Sequence, residues 1–240
     1  MWFFDAGLLP EVPEDPDHCG DPQVSNSPYP HSLLLPLYKN KRDKMKRLLS
    51  HFPIEFVEAP CLIVDGLCRQ LGDVLEANFE RDGGDGLFPP PSLHALLSLY
   101  LISSEQRDSS RSTAAASNCV DHLKHRIVQY TFLDMASYLA NGDKWAAVLE
   151  NLIKFPSAFS VPPSQIKLTQ AFWLLDHEDY EEAVNMLLDP LISSNDIEPW
   201  QHRAVLVSLL AQAHPKLALK YSRIRRPPQR DLVDIQVSLS

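Results

Sequence analysis

Little in this sequence announces chemistry, and each absence removes a class of function. No uninterrupted apolar run among its 240 residues approaches the roughly 20 that a bilayer demands, so no helix is expected to cross a membrane. Positive charge is in deficit. Against 31 Asp and Glu stand 22 Lys and Arg, giving a net charge of -9 and a pI near 5.4. Such a chain is a poor general binder of nucleic acid, because neutralising phosphates needs an excess of cations. Cysteine is scarce: Cys19, Cys61, Cys68 and Cys119 make no CxxC or zinc-finger spacing. With no signal peptide ahead of them, they read as reduced thiols of a nuclear or cytosolic protein.

Reactive constellations are equally thin. The sequence holds neither GxSxG nor a cysteine in a recognised catalytic setting. Gly83, Gly84 and Gly86 are followed by no GK[ST] and preceded by no strand, so they are not a phosphate loop. Asp82-Gly83-Gly84-Asp85-Gly86 lacks the alternating ligands and closing Glu of a calcium loop and reads as a helix C-terminal turn. His122 and His125 stand on adjacent helical turns beside Asp121, but without a third ligand they read as exposed helix histidines. The carboxylates Asp176, Glu178, Asp179, Glu181 and Glu182 crowd a corner and a helix start. The helix dipole favours acids there without any acid–base role. No enzyme activity, metal or cofactor is expected.

What is present is helix. Apolar residues are 45% of the chain and charged ones 22%, ordinary for a folded domain. The clearest stretch is Pro162 to Asp189. Pro162 and Pro163 open a helix, Ser164 is placed to cap it, and Leu168, Ala171, Phe172 and Leu175 form one apolar stripe. The corner Asp176-His177-Glu178-Asp179 leads into a second stripe of Tyr180, Ala183, Val184, Leu187 and Leu188. Helices joined so briefly lie antiparallel, and each buries one side only, so the pair needs neighbours. The expected fold is therefore all-α, an irregular α-solenoid of antiparallel helix pairs.

Around this hairpin, further helices are expected over Leu33–Leu49, Leu62–Phe79 and Ser92–Leu101. Others follow from about Cys119 to Leu139, from Trp145 to before Pro156, from Pro199 through Leu210 and over Lys216–Arg225. Residues 1–30 divide into an apolar anchor, Trp2, Phe3, Phe4, Leu8 and Leu9, and a Pro/Asp-rich linker. Residues 31–240 form the helical domain, with a flexible insertion over about 103–118. A fresh apolar pattern begins at Asp231, as in a chain cut from a longer protein.

Basic clusters stand out against the acidic background. Lys39, Lys41, Arg42 and Lys44 belong to a run ending at Arg47, either the solvated face of a helix or a docking patch for an acidic partner or import receptor. Arg223, Arg225 and Arg226 precede Pro227-Pro228. They read as cations at a helix C-terminus, with a minor-groove hook as the alternative.

Several segments carry a family resemblance. Gln165 through Tyr180, Leu187-Leu-Asp-Pro190, Pro199-Trp-Gln-His202 and Leu217-Ala-Leu-Lys-Tyr221 resemble the helical domain of the ELYS family of nuclear pore assembly proteins. Upstream, Trp2 through Pro10, Tyr38 through Arg42 and Pro89 through Leu97 match it as well. The resemblance implies a non-catalytic scaffold at the nuclear pore and nuclear envelope. That scaffold would recruit the Y-shaped nucleoporin complex to chromatin after mitosis, in company with a β-propeller and a DNA-binding tail outside this sequence. It also implies that Trp2, Phe3 and Phe4 pack at the junction with the propeller, and that chromatin is held mainly through the other regions. A chromatin-binding protein acting through its own basic clusters is the alternative.

Overall fold

A computed structural model describes residues 29–52, 59–71, 87–96, 114–138 and 145–227. Trp2, Phe3, Phe4, the linker, the Asp82–Gly86 turn and the pattern from Asp231 lie outside these residues. Among the described residues all regular structure is helical. In chain order the helices are α1 (His31–Leu49), α2 (Ile63–Leu71), α3 (Ala114–Tyr138), α4 (Trp145–Ala158), α5 (Pro163–Asp176), α6 (Tyr180–Leu187), α7 (Pro199–Ala211) and α8 (Pro215–Arg225). A 3-10 turn, Ser194–Asp196, precedes α7.

The α5–α6 hairpin forms as its periodicity predicts. Leu168, Ala171, Phe172 and Leu175 are buried on α5, and Tyr180, Ala183, Val184 and Leu187 on α6. Its caps differ from expectation. Pro162, not Ser164, occupies the N-cap position, and Pro163 takes the first turn, where its missing N–H leaves no bond unmade. Asp179 caps α6, its carboxylate accepting the Glu182 amide. Asp176, expected in the solvated corner, is buried.

Two other boundaries shift. The helix α3 begins at Ala114, inside the segment expected to be a flexible insertion, because Ala114, Ala115 and Ala116 are the best helix formers available. The helix α4 continues through Pro156 instead of stopping before it. Phe155, the residue before the proline, is fully buried, edge-on to Phe132 at 5.6 Å and tilted against Phe159 at 4.8 Å. That aromatic packing outweighs one missing backbone bond.

The packing places α3, α5 and α7 at the centre. Helix α5 is covered by α6, α3 and α2, and α3 also holds α4 and α2. Helix α7 touches α8, α1 and α2. Its residues from Ala204 to Ala211 are all buried, which is the signature of a helix enclosed on every side.

Candidate functional site

The interior contains more polar chemistry than the apolar stripes announce. On α1 the buried positions are Leu34, Tyr38, Arg42, Met45 and Leu49, so Arg42 sits on the apolar stripe and not on the solvated face. Its guanidinium grips Asp65 of α2 in a bidentate pair, Nε to Oδ2 at 2.9 Å and Nη2 to Oδ1 at 2.8 Å, and also donates to the Phe88 carbonyl. Burial pushes the Asp65 carboxyl up while Arg42 pulls it back.

Two further carboxylates stitch the helices together. Asp134 of α3 accepts from the Tyr38 hydroxyl and from Trp173 Nε1, each at 2.8 Å, with His177 Nε2 at 3.2 Å. Asp176, at the end of α5, accepts the first amides of α2, Ile63 at 2.9 Å and Val64 at 3.0 Å. It also accepts the Tyr130 hydroxyl. An anion at a helix N-terminus satisfies orphan donors and complements the dipole. Burial raises the Asp176 pKa against these donors. With its oxygens occupied, Asp176 is a tie between helices and is poorly placed to move a proton.

Asp176 also borders a cleft of about 270 Å³, open mouth included, between α1, the α5–α6 corner and the end of α7. Lys41, Tyr180, Ser208 and Gln212 line it too. The Lys41 ammonium is enclosed and makes no hydrogen bond among the described residues, lying 5.4 Å from the Tyr38 ring centre. Burial lowers its pKa.

The cations singled out from the sequence have divergent fates. Lys39 is exposed, Lys44 pairs with Glu178 at 2.7 Å on the surface, and Arg42 and Lys41 are drawn inward. Arg223 and Arg226 are exposed, whereas Arg225 is spent on the chain itself. It donates to the carbonyls of Leu187 at 2.7 Å, Ile192 at 2.6 Å and Asp189 at 2.9 Å. Because α1 packs on α7 while α8 packs on α6 and α7, the two clusters ride on different parts of the assembly. His122 is exposed, but His125 packs on Phe155 at 5.9 Å and Phe159 at 5.3 Å. Sequence reasoning missed Asp65 and Asp134, and read Asp176 as an acid of the polar corner. The available signal was acids falling at helical spacing on otherwise apolar faces.

A domain that is helical in its described residues, with its buried acids Asp65, Asp134 and Asp176 tying helices together, has the character of a structural and binding module. The family model for ELYS, described as nuclear pore complex assembly, matches residues 61–238. The chain is 32% identical over 228 residues to Protein ELYS of Xenopus laevis, and 33% identical over 228 residues to Protein ELYS of Homo sapiens. Each match covers 95% of this chain but only 8% and 9% of the respective relatives. The chain belongs to the ELYS family.

Proposed function

We propose that this chain is a non-catalytic scaffold module of an ELYS-type assembly factor. It acts at the nuclear pore and nuclear envelope, helping to recruit the Y-shaped nucleoporin complex to chromatin for post-mitotic pore assembly. The observation that carries the reading is the family match through residues 61–238, which takes in every described helix from α2 onward. Chromatin itself would be held through regions of the longer family members. In this reading Trp2, Phe3 and Phe4 pack against a neighbouring domain, and the helix pairs extend as an irregular α-solenoid. Support for such a repeat comes from α6 and α8, which run side by side in the same direction. Tyr180 meets His214 at 4.6 Å, Asn185 accepts from Lys220 at 2.9 Å, and Leu187 accepts from Arg225 at 2.7 Å.

The test is a pull-down with this chain as bait against the assembled Y-shaped complex at moderate and high salt, with naked DNA in parallel. Retention of the complex at high salt without DNA is the expected result, since a packed helical interface tolerates screening. Salt-sensitive capture of DNA with no nucleoporin would overturn the reading, because phosphate contacts weaken steeply with salt.

A further inference from the structure

Among the described residues, the last helix, α8, presents an exposed face. Lys216, Leu219, Lys220, Arg223 and Ile224 recur at steps of three and four residues and therefore share one side of α8. All are exposed, Leu219 at 36% and Ile224 at 57%, while Ala218, Tyr221 and Ser222 on the other side are buried. Arg226, also exposed, follows at the helix end. The helix contains no acid, although the chain as a whole carries -9.

Among the described residues, the neighbouring acids do not cancel this charge. Because α6 runs parallel to α8, its Glu181 and Glu182 sit at the His214 end. Asp189, at the other end, is paired with Lys167. Positive potential is thus concentrated around Lys220, Arg223 and Arg226, beside exposed apolar side chains. Arg225 holds this end of α8 to the carbonyls after α6, so the surface is preorganised, which lowers the entropic cost of binding.

We propose that this face docks an acidic amphipathic segment of a partner protein. The segment's carboxylates meet Lys220, Arg223 and Arg226, and its apolar side chains cover Leu219 and Ile224 on either flank of these cations. The proposal deepens the scaffold reading and rests on it. A phosphate backbone engages the cations but leaves the apolar groups in water. A lipid surface calls for a broad continuous apolar side, whereas here cations separate Leu219 from Ile224. An acidic amphipathic peptide satisfies both kinds of group at once.

The probe is a short synthetic helix with Glu along one side flanked by Leu, read by fluorescence anisotropy against this chain. A scrambled peptide of the same composition, a DNA duplex and phosphatidylserine vesicles serve as comparators. The ordered peptide is expected to bind, and Lys220→Glu with Arg223→Glu is expected to weaken it by roughly tenfold or more. Ile224→Ser should weaken it several-fold, and a peptide with Lys in place of Glu should regain affinity for the charge-reversed variant. That charge swap cannot arise from misfolding. Equal binding of the scrambled peptide, indifference to the α8 substitutions, or tighter capture of DNA or vesicles through the same residues would overturn the proposal. Failure of the nucleoporin pull-down with the peptide result intact strikes the assembly reading alone.

Discussion

Arg42 fills a position on α1 where the stripe of Leu34, Tyr38, Met45 and Leu49 calls for an apolar side chain, and it is tolerated because Asp65 is buried opposite it. Losing one partner strands the other in a medium that does not solvate it. Arg42→Met is therefore expected to cost about 3–5 kcal/mol in urea denaturation, and adding Asp65→Leu to recover most of that loss. Simple addition of the two costs would show that the groups do not act as a pair. His202 offers a second residue-level test. It is buried, shares a 2.7 Å hydrogen bond with the Tyr221 hydroxyl, and burial, reinforced by Arg225, pushes its pKa down from 6.5 to about 4. Between those values the unfolded chain binds the proton more readily, so stability falls as pH drops from about 6.5 towards about 4 and is unaffected above that window. The full shift corresponds to about 3 kcal/mol. A His202→Gln variant should show a correspondingly flatter melting-temperature profile across this range. An unchanged slope would assign the pH dependence elsewhere, His125 being the other histidine among the described residues whose pKa burial lowers.

Between elements, α2 approaches Trp200 at the start of α7 closely at Gly66. A Cβ added at Gly66 would lie 2.6 Å from Trp200 Cη2, nearer still to Cζ3, and 3.1 Å from Pro60 Cγ. Trp200 is not free to withdraw, for its Nε1 donates to Glu198 Oε2 at 2.9 Å, an oxygen that also accepts from Gln70 at 2.6 Å. In an open helix Gly→Ala gains up to about 1 kcal/mol, but here overpacking reverses the sign. Gly66→Ala is expected to be destabilising by about 1–3 kcal/mol, read by thermal melting. Trp200→Leu should cost less in the Gly66→Ala background than in the wild type. If Gly66→Ala raises the melting temperature instead, the α2–α7 contact is looser than this geometry requires.

Across the whole molecule, Asp176 is the joint that makes distant segments one unit. Its carboxylate receives amides 113 and 112 residues away in sequence and a tyrosine hydroxyl 46 residues away. Asp176→Ala leaves the Ile63 and Val64 amides and the Tyr130 hydroxyl without their acceptor, at about 1–3 kcal/mol for each buried group left unpaired. The loss should be reported at the same midpoint by near- and far-UV circular dichroism, and Asp176→Asn, which keeps an acceptor, should lose less. Separate midpoints would mean that α2 opens independently of the α5–α6 hairpin.

The sequence by itself determined the α5–α6 hairpin and the side each of its helices buries, because a period of 3.6 residues writes burial directly into residue order. Leu168, Ala171, Phe172 and Leu175, and then Tyr180, Ala183, Val184 and Leu187, could be read in this way. Only the tertiary structure decided which helix meets which, and so which polar groups pair. Periodicity fixes the side a helix turns inward but carries no information about its neighbour. Arg42 therefore looked like one cation in a solvated run until Asp65 was found opposite it. Arg225 looked like a cation at the end of its own helix until it was seen to hold the carbonyls that follow another. Asp176 looked like a corner acid until the N-terminus of α2 was placed on it.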